Sequence, residues 1–114
     1  MVHNFTTSGK ESTFFAITGN LATSKGTQTY NGETLTQCLK LESSTSITFT
    51  LDKPMTLILV LGNGGTYSGQ TIKVDGEKLV SDSNGIVTIE LASGAHTISK
   101  ADTSNIFLIA LAEV

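Results

Sequence analysis

The run Ser46–Leu51 reads SITFTL, with Ile47, Phe49 and Leu51 separated by Thr48 and Thr50. A polarity period of two marks a β-strand with one dry face and one wet face, because successive side chains leave a strand on opposite sides. The alternation returns in VTIEL, where Val87, Ile89 and Leu91 oppose Thr88 and Glu90. Turn signals stand between such runs at Asn31-Gly32, Asp75-Gly76, Asn84-Gly85 and Ser93-Gly94. Asn-Gly and Asp-Gly are favoured centres of two-residue hairpins, where both central residues need positive φ. LILVL and IFLIALA are continuously apolar, as expected of central strands buried on both faces. Ile106–Ala112 is long enough for a helix, but its place at the end of an otherwise β chain predicts a final strand.

Strands are expected near 2–6, 13–17, 27–31, 34–41, 46–51, 55–61, 70–74, 77–80, 86–91, 95–99 and 105–112. Short strands at regular spacing predict an all-β, antiparallel, jelly-roll-like sandwich. The stretch GNGGTYSGQ (62–70) reads as the most flexible loop, since four glycines weaken any regular element. With 114 residues and no dividing linker, residues 1–114 are expected to form a single domain. A chain of this length can bury a core without disulfides or metals.

Charge narrows the function. The cations are seven lysines with no arginine, against ten acids, for a net charge of −3. Phosphate backbones call for a basic excess, so nucleic acid is not an expected partner. Protein-built phosphate sites favour the planar arginine fork, which is absent here. The apolar runs are far shorter than the roughly 18–20 residues that span a membrane, and no membrane partner is expected. No leader is visible at the start, and Met1-Val2 reads as an expression start, so a secretory leader is expected to be missing from this chain.

Catalytic chemistry finds little to stand on. Cys38 is the sole cysteine and sits in the strand-like TLTQCLKL with no thiolate-stabilising neighbour in sequence, so it reads as a buried inert thiol. His3 adjoins the terminus, and His96, at the start of a strand near a turn, reads as a surface residue. No nucleophile elbow, metal-ligand spacing or phosphate loop is present, so no catalytic residue, metal or cofactor is assigned. DSNG (82–85) opens like a calcium loop but lacks the later bidentate acid, and a hairpin turn is the better reading. Sparse acids also argue against a paired-carboxylate glycosidase.

The absence of Trp removes the usual stacking platform for a neutral polysaccharide. Tyr30 and Tyr67 remain as rings for secondary ligand contacts, because the phenylalanines lie in apolar runs. A sugar bound by this chain would be held by charge and hydrogen bonds, and lysines suit an acidic sugar.

TGNLATSKGTQTYNGETLTQCLKLESSTSITFT (Thr18–Thr50) resembles the non-catalytic modules attached to bacterial pectate lyases. The series continues through TLILVLG, IKVDGEKL, NGIVTIEL and SGAHTISKADTSNIFLIAL, covering nearly the whole chain. It resembles carbohydrate-binding module family 77, the pectin-binding family. The resemblance implies a β-sandwich that binds homogalacturonan where galacturonate is not methyl-esterified. It also implies lysine ligands, carried here onto Lys25 in SKG, Lys40 in CLKLESS and Lys100 in ISKAD. Lys10, Lys53, Lys73 and Lys78 are left as surface charge. The resemblance further implies a secreted, monomeric module, tethered to a pectin-degrading enzyme and itself not an enzyme. Competing readings are a structural or adhesive sandwich without a sugar ligand and a small pectin-active enzyme.

Overall fold

Two antiparallel sheets face each other in a computed structural model that describes residues 1–114. The strands in chain order are β1 (Val2–Asn4), β2 (Ala16–Thr18), β3 (Leu21–Ala22), β4 (Gln28–Tyr30), β5 (Glu33–Leu35), β6 (Cys38–Leu41), β7 (Ser46–Leu51), β8 (Met55–Gly62), β9 (Thr71–Val74), β10 (Glu77–Val80), β11 (Ile86–Leu91), β12 (Gly94–Ser99) and β13 (Ser104–Glu113). One sheet has the order β11-β8-β13-β6-β3, with β1 also paired to β13; the other runs β10-β9-β12-β7-β2. The fold is an antiparallel β-sandwich, as the alternation predicts.

The core follows the period of two. Leu39 and Leu41, Ile47, Phe49 and Leu51, Leu57, Leu59 and Leu61, and Ile72 and Val74 all enter one buried cluster between the sheets. The residues between them face outward, which is why Thr48 and Thr50 are exposed. The continuously apolar runs have a second cover. Val60, Leu108 and Ala110, on the other face of β8 and β13, pack with Leu35, Cys38 and Phe107 in a separate cluster. Leu35 brings the β4–β5 hairpin onto this cluster, with Tyr30 packed against it. A register shift between Ile106 and Leu108 lets Phe107 join Leu108 there. The buried Gln28 fastens the hairpin, its amide nitrogen donating to the Leu61 carbonyl at 2.7 Å and the Asn84 carbonyl at 3.0 Å.

Several local expectations change. The strand expected over 2–6 stops at Asn4, whose side chain accepts from the Thr6 N–H and caps a single helical turn, α1 (Phe5–Ser8). The expected strand 34–41 is two strands, and β2 starts three residues later than expected because the Ser12 hydroxyl ties up the Phe14 and Phe15 N–H groups. Of the four turn dipeptides, only Asn31-Gly32 and Asp75-Gly76 form two-residue hairpins, and of the four only these have both residues at positive φ. Asn84-Gly85 and Ser93-Gly94 lie on connections that cross between the sheets instead. Asp82 shapes the first crossing, its carboxylate accepting from the Asn84 and Ile86 N–H groups. Residues 62–70 are also more ordered than a free loop. β8 continues to Gly62, and Asn63 and Thr66 bridge each other across a tight turn.

Candidate functional site

Lys40 lies on β6 between the inward-facing Leu39 and Leu41, so it leaves the sheet on the outer side with Cys38. Its backbone is pinned from both directions. Its N–H donates to the Asn20 carbonyl at 2.9 Å, and its carbonyl accepts from the buried Thr45 hydroxyl at 2.6 Å. The same hydroxyl accepts from the Glu42 N–H at 3.0 Å, closing the turn that follows β6. Glu42 stands 3.7 Å from the Lys40 ammonium and receives a 2.9 Å hydrogen bond from the Asn20 amide.

Lys25 occupies the loop between β3 and β4, and that loop is built against the glycine-rich turn. The Gly64 N–H donates to the Lys25 carbonyl at 2.8 Å. Gly26 is at φ +85°, and a Cβ there would meet the Gly65 nitrogen at 2.9 Å, so only glycine permits this approach. The Tyr67 hydroxyl donates to the Thr27 carbonyl at 2.6 Å. Asn105 joins this assembly to Lys40. It is the cross-strand partner of Lys40 on β13, and its amide donates to the Gly62 carbonyl at 3.1 Å.

Lys100 sits in the connection between β12 and β13, half-buried. Asp102 braces that connection, accepting from the Thr71 hydroxyl at 3.0 Å and pairing with Lys78 at 2.9 Å. Neither Lys25 nor Lys100 has a carboxylate within ion-pair distance, whereas Lys53 is paired with Glu113 at 2.6 Å.

Burial pushes the Cys38 thiol up to about 11, against the opposing pull of Lys25 and Lys40. The thiol is therefore inert at neutral pH, as its strand position suggests. The Asn20 hydrogen bond, then Lys40 and more weakly Lys100, hold the Glu42 carboxyl below its ordinary range despite some desolvation. Lys40 is thus the shared neighbour: it acts on one group together with Lys25 and on another together with Lys100.

Tyr30 and Tyr67 are half-buried. Tyr30 rests on the outer cluster, and the Tyr67 ring lies where a Gly62 side chain would otherwise stand. The Tyr67 hydroxyl ties its ring to the Lys25 loop. The residues that sequence reasoning missed are Asn20 and Thr45, which bond the Lys40 backbone, and Asn105, which stands opposite Lys40 and bonds Gly62. The one readable signal was the glycine density at 62–65.

His96 is buried rather than on the surface. Its Nδ1 lies 2.6 Å from an Asp75 carboxylate oxygen and its Nε2 lies 2.7 Å from the Ala92 carbonyl. With both ring nitrogens engaged, the pair has no free nitrogen to serve as a general base. A shallow groove of about 590 Å³ lies on the other sheet, lined by Thr13, Thr48, Thr50 and Thr97 among others. It contains no lysine, so it offers an acidic chain no counter-charge.

Solved structures share this architecture. One, from work on glycan recognition in the Ruminococcus flavefaciens cellulosome, is 52% identical with a TM-score of 0.92, the match covering 99% of this chain and 92% of that one. A family 35 carbohydrate-binding module from an environmental isolate has a TM-score of 0.52 at 21% identity, covering 97% of this chain and 91% of its own, a likeness of fold alone. A peptidoglycan O-acetylesterase reaches a TM-score of 0.57 at 18% identity over 90% of this chain but only 31% of its own, again a likeness of fold. Among curated proteins none matches this chain. Residues 1–109 match the family described as carbohydrate binding module 77, and with that match the chain belongs to this family of non-catalytic carbohydrate-binding modules.

Proposed function

We propose that this module binds low-esterified homogalacturonan through contacts between uronate carboxylates and Lys25, Lys40 and Lys100, and so holds an attached pectin-degrading enzyme on plant cell wall outside the cell. What supports this reading is that the Lys25 loop is bonded to Gly64, next to the Gly62–Asn105 contact opposite Lys40, and that Lys25 and Lys100 have no carboxylate partner of their own.

A uronate is ionised above about pH 4, by analogy with other carboxylic acids. An ammonium meets it as a point charge, without the fork geometry of arginine. One exposed pair is worth only ~0.2–1 kcal/mol, so several lysines must act on one chain at once. Three elements supply them here: the β3–β4 loop, β6 and the β12–β13 connection.

Affinity gels with low-ester and fully methyl-esterified pectin test the reading. Retention by the first alone is expected, falling as salt screens the pairs over a Debye length of ~8–10 Å. Equal retention by both would rule it out. Incubation with polygalacturonate should yield no unsaturated product, which separates a binding module from a small lyase.

A further inference from the structure

We propose that Glu42 is an internal competitor for Lys40, a resident carboxylate that a uronate must displace, and that it thereby raises the number of free uronates needed for retention. This rests on the lysine–uronate reading above. Glu42 follows β6 in the turn two residues after Lys40, and its carboxylate lies against the Lys40 ammonium. The separation is 3.7 Å, and the Asn20 amide holds the other carboxylate oxygen at 2.9 Å. Glu42 is thus a positioned group. The charge of Lys100 acts on it as well.

The consequence is an exchange of like for like. A lone uronate arriving at Lys40 gains one ammonium–carboxylate pair and breaks another, so the net gain is small. Lys25 and Lys100 carry no such occupant. A chain is retained only when carboxylates reach them at the same time, which favours blocks of unesterified residues over isolated ones. Glu42 also cancels one of the three positive charges and so reduces attraction for any polyanion.

Glu42→Gln tests this. The substitution is nearly isosteric, and the amide oxygen can still accept from Asn20, so the turn stays supported. Calorimetry of the parent and the variant uses polygalacturonate and a pectin of intermediate esterification, each at low and high salt. The expected result is binding tighter by about two- to fivefold, the worth of an exposed ion pair. The intermediate pectin should become measurably retained, and the salt dependence should steepen because a carboxylate no longer offsets Lys40. A variant that melts like the parent but binds equally or more weakly would overturn the inference, since Glu42 would then be a bystander or a direct sugar contact. A parent that fails to bind polygalacturonate would overturn the proposed function, and this inference with it.

Discussion

Asn105 stands directly across the β6–β13 ladder from Lys40, and its amide reaches the Gly62 carbonyl at the end of β8 at 3.1 Å. The residue is almost fully buried. It therefore couples the strand bearing Lys40 to the turn on which the Lys25 loop is built. Asn105→Ala would leave the Gly62 carbonyl without this donor and should cost about 1–3 kcal/mol of stability. Binding to low-ester homogalacturonan should weaken as well, through the displaced Lys25 loop. Denaturant titration and calorimetry on one preparation separate the two effects.

A paired test addresses Gly26. Gly26 and Gly76 both have positive φ, at +85° and +82°. A side chain at Gly76 meets nothing within 4 Å, whereas one at Gly26 runs into Gly64 and Gly65. Gly76→Ala should cost only the backbone strain, about 1 kcal/mol. Gly26→Ala should cost more and also weaken pectin binding. If both variants bound as the parent does, close packing of the Lys25 loop would not matter for the ligand.

The His96–Asp75 pair predicts a pH dependence of stability. Burial pulls the His96 pKa down, but the Asp75 hydrogen bond, the Ala92 carbonyl and the Asp75 charge outweigh it and hold the value above normal. Burial likewise works to raise the Asp75 carboxyl, yet the hydrogen bonds from His96 and the Thr97 N–H and the His96 charge keep it below normal. For His96 the folded pKa is raised, so its contribution is complete below about pH 6.5 and is lost as pH rises through the folded value. For Asp75 the folded pKa is depressed, so its contribution is complete above about pH 3.9 and is lost as pH falls through the folded value. Thermal unfolding should show lower stability at mildly alkaline pH than near pH 6. Asp75→Asn should flatten that difference while keeping the turn, since Asn tolerates the φ of +52° at this position.

How much of this could be read in advance depends on the range of the interactions. The alternation in Ser46–Leu51 fixed both the strand and its inward face, because strand periodicity is local. The continuous apolarity of β13 was likewise legible as burial on both faces. What covers its outer face was not, since the β4–β5 hairpin meets it through Leu35, far away in sequence. Turn dipeptides marked where the chain reverses, but not whether it pairs with itself or crosses to the other sheet. His96 was misread because its partner Asp75 lies 21 residues away. At the candidate site, Lys25, Lys40 and Lys100 came from a family likeness, and the pins at Asn20 and Asn105 are made by residues far away in sequence.

The most direct test of the account is calorimetry with low-ester homogalacturonan on Lys25→Ala, Lys40→Ala and Lys100→Ala, beside Lys53→Ala. Lys53 is the better control because its ion pair with Glu113 lies at the opposite end of the sandwich, whereas Lys78 braces the Asp102 connection next to Lys100. All four are surface changes that should shift stability by no more than ~0.5 kcal/mol. An exposed lysine–uronate pair is worth ~0.2–1 kcal/mol, up to about fivefold in affinity. Lys25→Ala and Lys100→Ala should therefore each lose up to about fivefold and Lys40→Ala less, because Glu42 already pairs with Lys40, with Lys53→Ala binding as the parent does. Unchanged binding by the three, or a loss confined to Lys53→Ala, would contradict the account.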